Sequence, residues 1–61
     1  MPLKKEELAD IKVNLDKAER AIKDATVDIA TARRAGIDVA DMEKELKEVK
    51  ERVRRMKAVY R

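Results

Sequence analysis

Residues 32–42 read ARRAGIDVADM and contain the feature that decides the fold. Gly36 is the only glycine in the chain of 61 residues. Glycine readily adopts the left-handed conformation that ends many helices, and the two arginines before it suit the negative end of a helix dipole. Asp38 is a suitable N-cap, with Asp41 in the next first turn. The stretch therefore predicts a helix end, a turn and a second helix start, with Ile37 covering the last turn of the first helix.

Outside this stretch, no residue interrupts helix formation. Pro2 is the only proline, and it suits the first turn of a helix, where a missing N–H costs nothing. We predict a single domain over residues 1–61, with a helix at about 3–34, a turn at about 35–38 and a helix at about 39–60.

Apolar residues recur at alternating steps of three and four on both sides of the turn. This spacing is that of coiled-coil heptads, in which positions a and d form the contact surface. With Leu8 and Val39 at position a, the first helix carries large aliphatic residues at a and mostly alanine at d. The predicted core of the hairpin, and of an oligomer built from it, comprises Leu15, Ala18, Ile22, Ala25, Ile29, Val39, Met42, Leu46, Val49, Val53 and Met56.

Folding the chain back at Gly36 gives one register in which every layer is apolar. Ile22 then faces Val49 and Ala25 faces Leu46, and the residue numbers of all such pairs add to the same total. The alanines allow the backbones to approach closely, and the bulkier residues opposite fill the space. We therefore predict an all-α fold, an antiparallel two-helix hairpin of coiled-coil type.

The same register makes predictions about charges beside the seam. Exposed ion pairs contribute at most about 1 kcal/mol each, so they follow the apolar register and do not decide it. The expected juxtapositions are Glu19 with Lys50 or Lys57, Arg33 with Glu43, and an unfavourable approach of Lys12 to Lys57.

Two helices joined by a narrow seam leave apolar side chains only half covered. The first helix is also the longer one, so Leu3 and Leu8 have no partner in the register. Both features favour further association, most simply a homodimer that forms a four-helix bundle, or packing on a helical protein partner. The unpaired leucines would equally suit a fragment of a larger assembly.

The composition removes most catalytic chemistry. The chain has no Cys, His or Ser, so it lacks a thiolate, an imidazole and a serine nucleophile. The glutamates of the second helix lie off the seam, whereas bundle metal sites project carboxylates inward. We expect no enzyme activity, cofactor, metal or small-molecule substrate. High Lys and Glu usage suits a protein from a hot environment, and long helices in general share that composition.

Basic residues gather at the C-terminal end. The net charge is +3, and residues 52–61 carry five bases and no acid. One interpretation is compensation of the helix dipole together with solubility. The other is contact with phosphates or with an acidic partner, for which arginine is well suited. The residues concerned are Arg52, Arg54, Arg55, Lys57 and Arg61.

No apolar run approaches the roughly 20 residues of a membrane helix, and the polar faces mix both signs of charge. We therefore expect a cytoplasmic protein without membrane contact. Its predicted function is that of a structural or protein–protein interaction module, which self-associates or packs on a partner helix through its heptad seams. The alternative is a small nucleic-acid-binding regulator that uses the basic end, Arg52–Arg61.

The plan of a short helical hairpin with small and large a/d layers is similar to that of the Rop family of plasmid copy-number regulators. That resemblance implies a dimeric four-helix bundle that contacts RNA. It is a resemblance of architecture, and because no sequence motif carries it, it assigns no role to any residue.

Overall fold

The chain forms two helices that pack against each other. The computed structural model describes residues 3–60, in which α1 spans Lys5–Arg34 and α2 spans Ala40–Tyr60. The molecule measures 48 × 15 × 12 Å, close to the length of about 45 Å expected for a helix the size of α1. The prediction of an all-helical hairpin is confirmed for this part of the chain. Pro2 and Arg61, to which the sequence analysis gives roles, lie outside the described residues.

Gly36 ends α1 in the left-handed conformation, with φ of 82°. The Gly36 N–H donates to the carbonyl of Arg33, and the Ile37 N–H donates to the carbonyl of Ala32, both at 3.0 Å. These two bonds form a Schellman motif, which satisfies carbonyls that the helix end would otherwise leave free. Ile37 is 55% exposed, so it covers the last turn of α1 less than the sequence suggests.

Asp38 lies one residue before the N-cap of α2, and not at the N-cap as the sequence predicts. The Val39 carbonyl accepts the first helical hydrogen bond, from the Glu43 N–H at 2.8 Å. Oδ1 of Asp38 accepts the Ala40 N–H at 3.0 Å. Val39 is thus the cap residue by its backbone, and Asp38 satisfies a free N–H from the position before it.

Burial differs between the two heptad positions. The buried side chains among residues 3–60 are Leu15, Val39 and Val53, and all three occupy position a. Position d of α2 stays partly open, since Met42, Val49 and Met56 are 40%, 39% and 40% exposed. Both positions were expected to share the seam. In α2, position a instead points at α1 and position d points to one side, whereas Ala18 and Ala25 at position d of α1 are half-buried.

The hairpin exposes more surface than its mass requires. Its accessible surface is 5462 Å², whereas a compact monomer of 7.0 kDa exposes about 4,000 Å². The difference reflects an elongated, one-layer shape with few buried side chains. Within residues 3–60, neither helix carries an apolar stretch long enough to cross a bilayer.

Candidate protein interaction surface

An open apolar groove runs along one side of the seam between α1 and α2. Its volume is about 500 Å³. The apolar groove is lined by Ala18, Ala21, Ile22, Ala25, Ile29, Met42, Leu46 and Val49. All of these except Ala21 belong to the predicted core, so the structure brings most of that core together on a surface open to solvent.

The groove arises because the two helices contribute side chains of different size. On the α1 side, Ala18, Ala21 and Ala25 form a low wall, whereas Met42 and Val49 of α2 stand beside it. Methionine adapts its shape to a contacting surface. A row of apolar side chains at regular spacing, each about 40% exposed, is typical of a surface that another protein covers.

Ala21 is the groove residue that the sequence analysis leaves outside the core. It occupies heptad position g, next to position d on the side that opens. The signal was present in the sequence, because a small apolar residue at g widens an a/d stripe into the broader face found in bundles.

The rim of the apolar groove is acidic near the turn. Asp28 of α1 and Glu45 of α2 both line the groove and are exposed. They lie on different helices but flank the same opening. A partner that covers the groove therefore meets a negative charge on each side of it.

The opposite side of the seam, which we call the charged face, carries the ion pairs between the helices. Nζ of Lys57 lies 3.1 Å from Oε1 of Glu19. Arg33 pairs with Glu43, and the hydrogen bond to Glu43 together with its charge raises the pKa of Arg33 above its usual value. Both pairs are among those that the register predicts.

The expected conflict between Lys12 and Lys57 is moderated by neighbouring acids. Both lysines line one hollow on the charged face, together with Asp16 and Glu19. Lys57 reaches Glu19, and Asp16 follows Lys12 by one turn of α1, a spacing that favours attraction on a helix surface. Tyr60 lines the same hollow and is half-buried.

The predicted basic patch does not form one continuous surface. Lys57 is engaged by Glu19, and Nη2 of Arg55 lies 3.9 Å from Oε2 of Glu51. Arg52 is exposed at heptad position g, on the side of the apolar groove. The residues therefore spread around α2, and Arg61 lies outside the described part of the chain.

Arg54 instead joins lysines from both helices. A hollow of about 290 Å³ on the charged face is lined by Lys23, Lys50, Arg54 and Lys57, with Glu19 as its acid. We call it the basic hollow. The predicted basic patch omits Lys23 and Lys50, although the register places these two lysines near each other across the seam.

The two threonine hydroxyls form hydrogen bonds within their own helix. The Thr26 hydroxyl donates to the Ile22 carbonyl at 2.8 Å, and the Thr31 hydroxyl donates to the Val27 carbonyl at 3.0 Å. Among residues 3–60, no three carboxylates come close enough together to hold a metal ion.

Comparison of the chain with protein-family models, with curated proteins and with solved structures gives no match in any of the three.

Proposed function

We propose that this protein is a helical interaction module that self-associates, two hairpins packing through their apolar grooves to form a four-helix bundle. The observation that carries the proposal is the open row of Met42, Val49 and Met56, each about 40% exposed at the same heptad position. Side chains at d normally enter the contact between helices. A second pair of helices would give them that contact.

The exposed area supports an interface of the required size. One hairpin exposes about 1,400 Å² more than a compact monomer of its mass. If two copies cover this excess, the interface buries about 2,800 Å² in total, within the range of obligate homodimers. The excess surface of the elongated hairpin is therefore large enough for the interface of a two-hairpin bundle.

The thin core supports the same conclusion from stability. Only Leu15, Val39 and Val53 are buried among residues 3–60. Chains of this size bury only about 60% of the surface that the unfolded chain exposes, and small domains often gain stability from disulfides, metals or oligomerisation. Since the chain has no cysteine, oligomerisation through the groove is the simplest source of additional stability.

Sedimentation equilibrium at micromolar concentration tests the proposal. We expect the mass of two chains, and we expect Val49→Asp in the groove to shift the protein towards monomer. Val27→Asp is the matched control, because Val27 is 62% exposed on the outer face of α1. A folded parent chain that sediments as a monomer at every concentration would remove the proposal.

The basic hollow favours a second candidate function, contact with nucleic acid. Lys23, Lys50, Arg54 and Lys57 converge there from both helices. A cluster of bases can neutralise phosphates, and the counterions released make binding strongly dependent on salt. The basic hollow supports nucleic-acid binding better than the C-terminal sequence alone does, because it brings together basic residues that are distant in the chain.

Fluorescence anisotropy with RNA and DNA oligonucleotides at several salt concentrations tests this second candidate. Replacing Lys50 and Arg54 by glutamine should lower the slope of log affinity against log salt by about two, one for each lost phosphate contact. The control replaces Lys44 and Arg34, which are exposed at the outer heptad position f, away from the hollow. Binding without salt dependence, or an equal slope change in the control, argues against nucleic-acid contact in the hollow.

A further inference from the structure

We infer that the apolar groove is covered by a second copy of this chain in antiparallel orientation, with α2 against α2 of the other copy across a twofold axis at Val49. This inference rests on the proposed self-association and adds its geometry. The apolar residues alone do not determine the orientation of the second copy. The distribution of charge along the groove side of the helices does.

The groove side of α2 changes sign at its centre. Near the turn, the exposed residues that flank its d positions are acidic, and beyond Val49 they are basic. Since α2 has one acidic and one basic half on this side, a second α2 complements it only when the two run in opposite directions. The residues concerned are Asp41, Glu45 and Glu48 in the acidic half, and Arg52 and Arg55 in the basic half.

The apolar residues of α2 are symmetric about Val49, and the charges beside them match the same axis to within one residue. When α2 is turned onto itself around Val49, Met42 lies opposite Met56 of the other copy, and Val49 lies opposite Val49. The same rotation brings Glu45 to within one residue, about 1.5 Å along the helix, of the level of Arg52 of the other copy, once on each side of the axis. A single axis thus satisfies the d row and its flanking charges together.

The pattern on α1 is centred at the same height. In the hairpin register Ile22 faces Val49, so an axis at Val49 also passes Ile22. About this point, Ala18 lies within one residue of the level of Ala25 of the other copy, and small residues allow two helices to approach closely. Lys17 likewise lies within one residue of the level of Asp28 of the other copy, which gives the acid on the groove rim a basic neighbour.

The charges disfavour the other twofold arrangement of two hairpins. With the axis along the bundle, α1 would pack against α2 of the other copy, in the same register that joins them within one chain. Asp28 would then lie within two residues of the level of Glu45 of the other copy, and the two rim acids of each groove would come near the two of its partner. Like charges brought together at an interface destabilise it, so the rim disfavours this arrangement.

Charge reversal distinguishes the two arrangements by the sign of its effect. In the antiparallel arrangement, Glu45→Arg sets like charges against Arg52 twice per dimer and should weaken dimerisation by about tenfold. Adding Arg52→Glu should restore the parent dimerisation constant. Glu51→Arg makes the same charge change on the outer face of α2 and serves as the control.

The outcomes separate this inference from the proposed function. If Glu45→Arg strengthens the dimer, the substitution has removed the repulsion between Glu45 and Asp28 of the other copy that the alternative arrangement implies. The antiparallel geometry is then wrong, while the proposed self-association stands. If the parent chain is a monomer at every concentration, both are wrong. Circular dichroism of each variant shows whether a lost dimer reflects a lost hairpin, and the restoring double variant answers the same question independently.

Cysteine pairing gives a second measurement that does not depend on charge. The chain contains no cysteine, so single cysteines can be placed freely. Oxidising a mixture of Met42→Cys and Met56→Cys chains should yield a disulfide-linked heterodimer, because these positions meet across the axis. Neither variant alone should crosslink, since each position lies about 21 Å from its own copy along the bundle. Efficient crosslinking of Met42→Cys alone would overturn the antiparallel arrangement.

Discussion

The two sides of the hairpin seam differ in what one chain can satisfy by itself. On the charged face, Glu19 meets Lys57 and Arg33 meets Glu43, so acids and bases of the two helices complete each other. On the other side, the apolar groove exposes Met42 to solvent and has an acid on its rim from each helix. On the charged face, the charged groups find their partners within one chain. On the groove side, the apolar side chains remain exposed and could be covered by a further pair of helices.

The two sides also differ in the kind of free energy they supply. Exposed ion pairs contribute little to stability and are screened by salt, whereas apolar burial contributes in proportion to area. We therefore expect the groove to supply affinity, while its rim charges decide which partner and orientation are accepted. The following variants test that division.

The largest effect is expected at Ile22, which lines both the apolar groove and the basic hollow. Ile22→Asp places a charge without a partner at the centre of a thin core and should cost roughly 3 kcal/mol or more. Loss of helical circular dichroism at room temperature is the expected result. Val27→Asp, on the outer face, should change stability by less than about 0.5 kcal/mol. Equal melting temperatures for the two variants would contradict the register.

A pair of identical truncations compares the seam with the groove. Val53 is 8% exposed in the seam and Val49 is 39% exposed in the groove. Val53→Ala should cost about 1.5 kcal/mol at any chain concentration, from the apolar area lost. The cost of Val49→Ala should be less than half of this in dilute monomer and should approach it where the protein is dimeric.

Urea unfolding at low and high chain concentration measures both truncations. The distinguishing quantity is the change in the Val49→Ala effect with concentration. If that effect is constant while the parent becomes more stable with concentration, Val49 does not lie in the interface. The dimer then forms through another side of the hairpin and not through the apolar groove.

The parts of this architecture that depend on local pattern and register were predictable from sequence. The three–four spacing predicts two helices, and the folded-back register places Arg33 near Glu43. The rotation of α2 about its own axis was not predictable. A heptad stripe offers both a and d to a partner, and the choice between them depends on how Leu15 and Val53 fill the seam.

The same rotation explains which site features the sequence did not provide. Lys23, Lys50 and Arg54 occupy two different heptad positions on two helices. They converge because the residues at position a of α2 point towards α1. The apolar groove was foreseeable as an incompletely covered seam. Its confinement to one side follows from the rotation, and so does the position of Asp28 and Glu45 on its rim.

The turn should affect both sides equally, because it sets the register that they share. A Cβ at Gly36 would meet no atom within 4 Å, so the cost of Gly36→Ala comes from its φ of +82° alone. We expect a loss of about 1 kcal/mol in unfolding free energy, with the dimeric mass unchanged. Gly36→Asn should lose less, since asparagine tolerates this conformation better. A Gly36→Ala chain as stable as the parent would show that the turn relaxes freely.

The smallest effect is expected for the ion pair of Glu19 and Lys57, whose side chains are 39% and 29% exposed. A double-mutant cycle with Glu19→Gln and Lys57→Gln should give a coupling below about 1 kcal/mol that diminishes with added salt. Its value should not depend on chain concentration, because both residues belong to one hairpin. A cycle on Glu45 and Arg52 should behave differently, with a coupling present in the dimer and absent in the monomer. If the Glu19–Lys57 coupling also disappears on dilution, the charged face lies in the interface as well, and the division between the two sides of the seam is wrong.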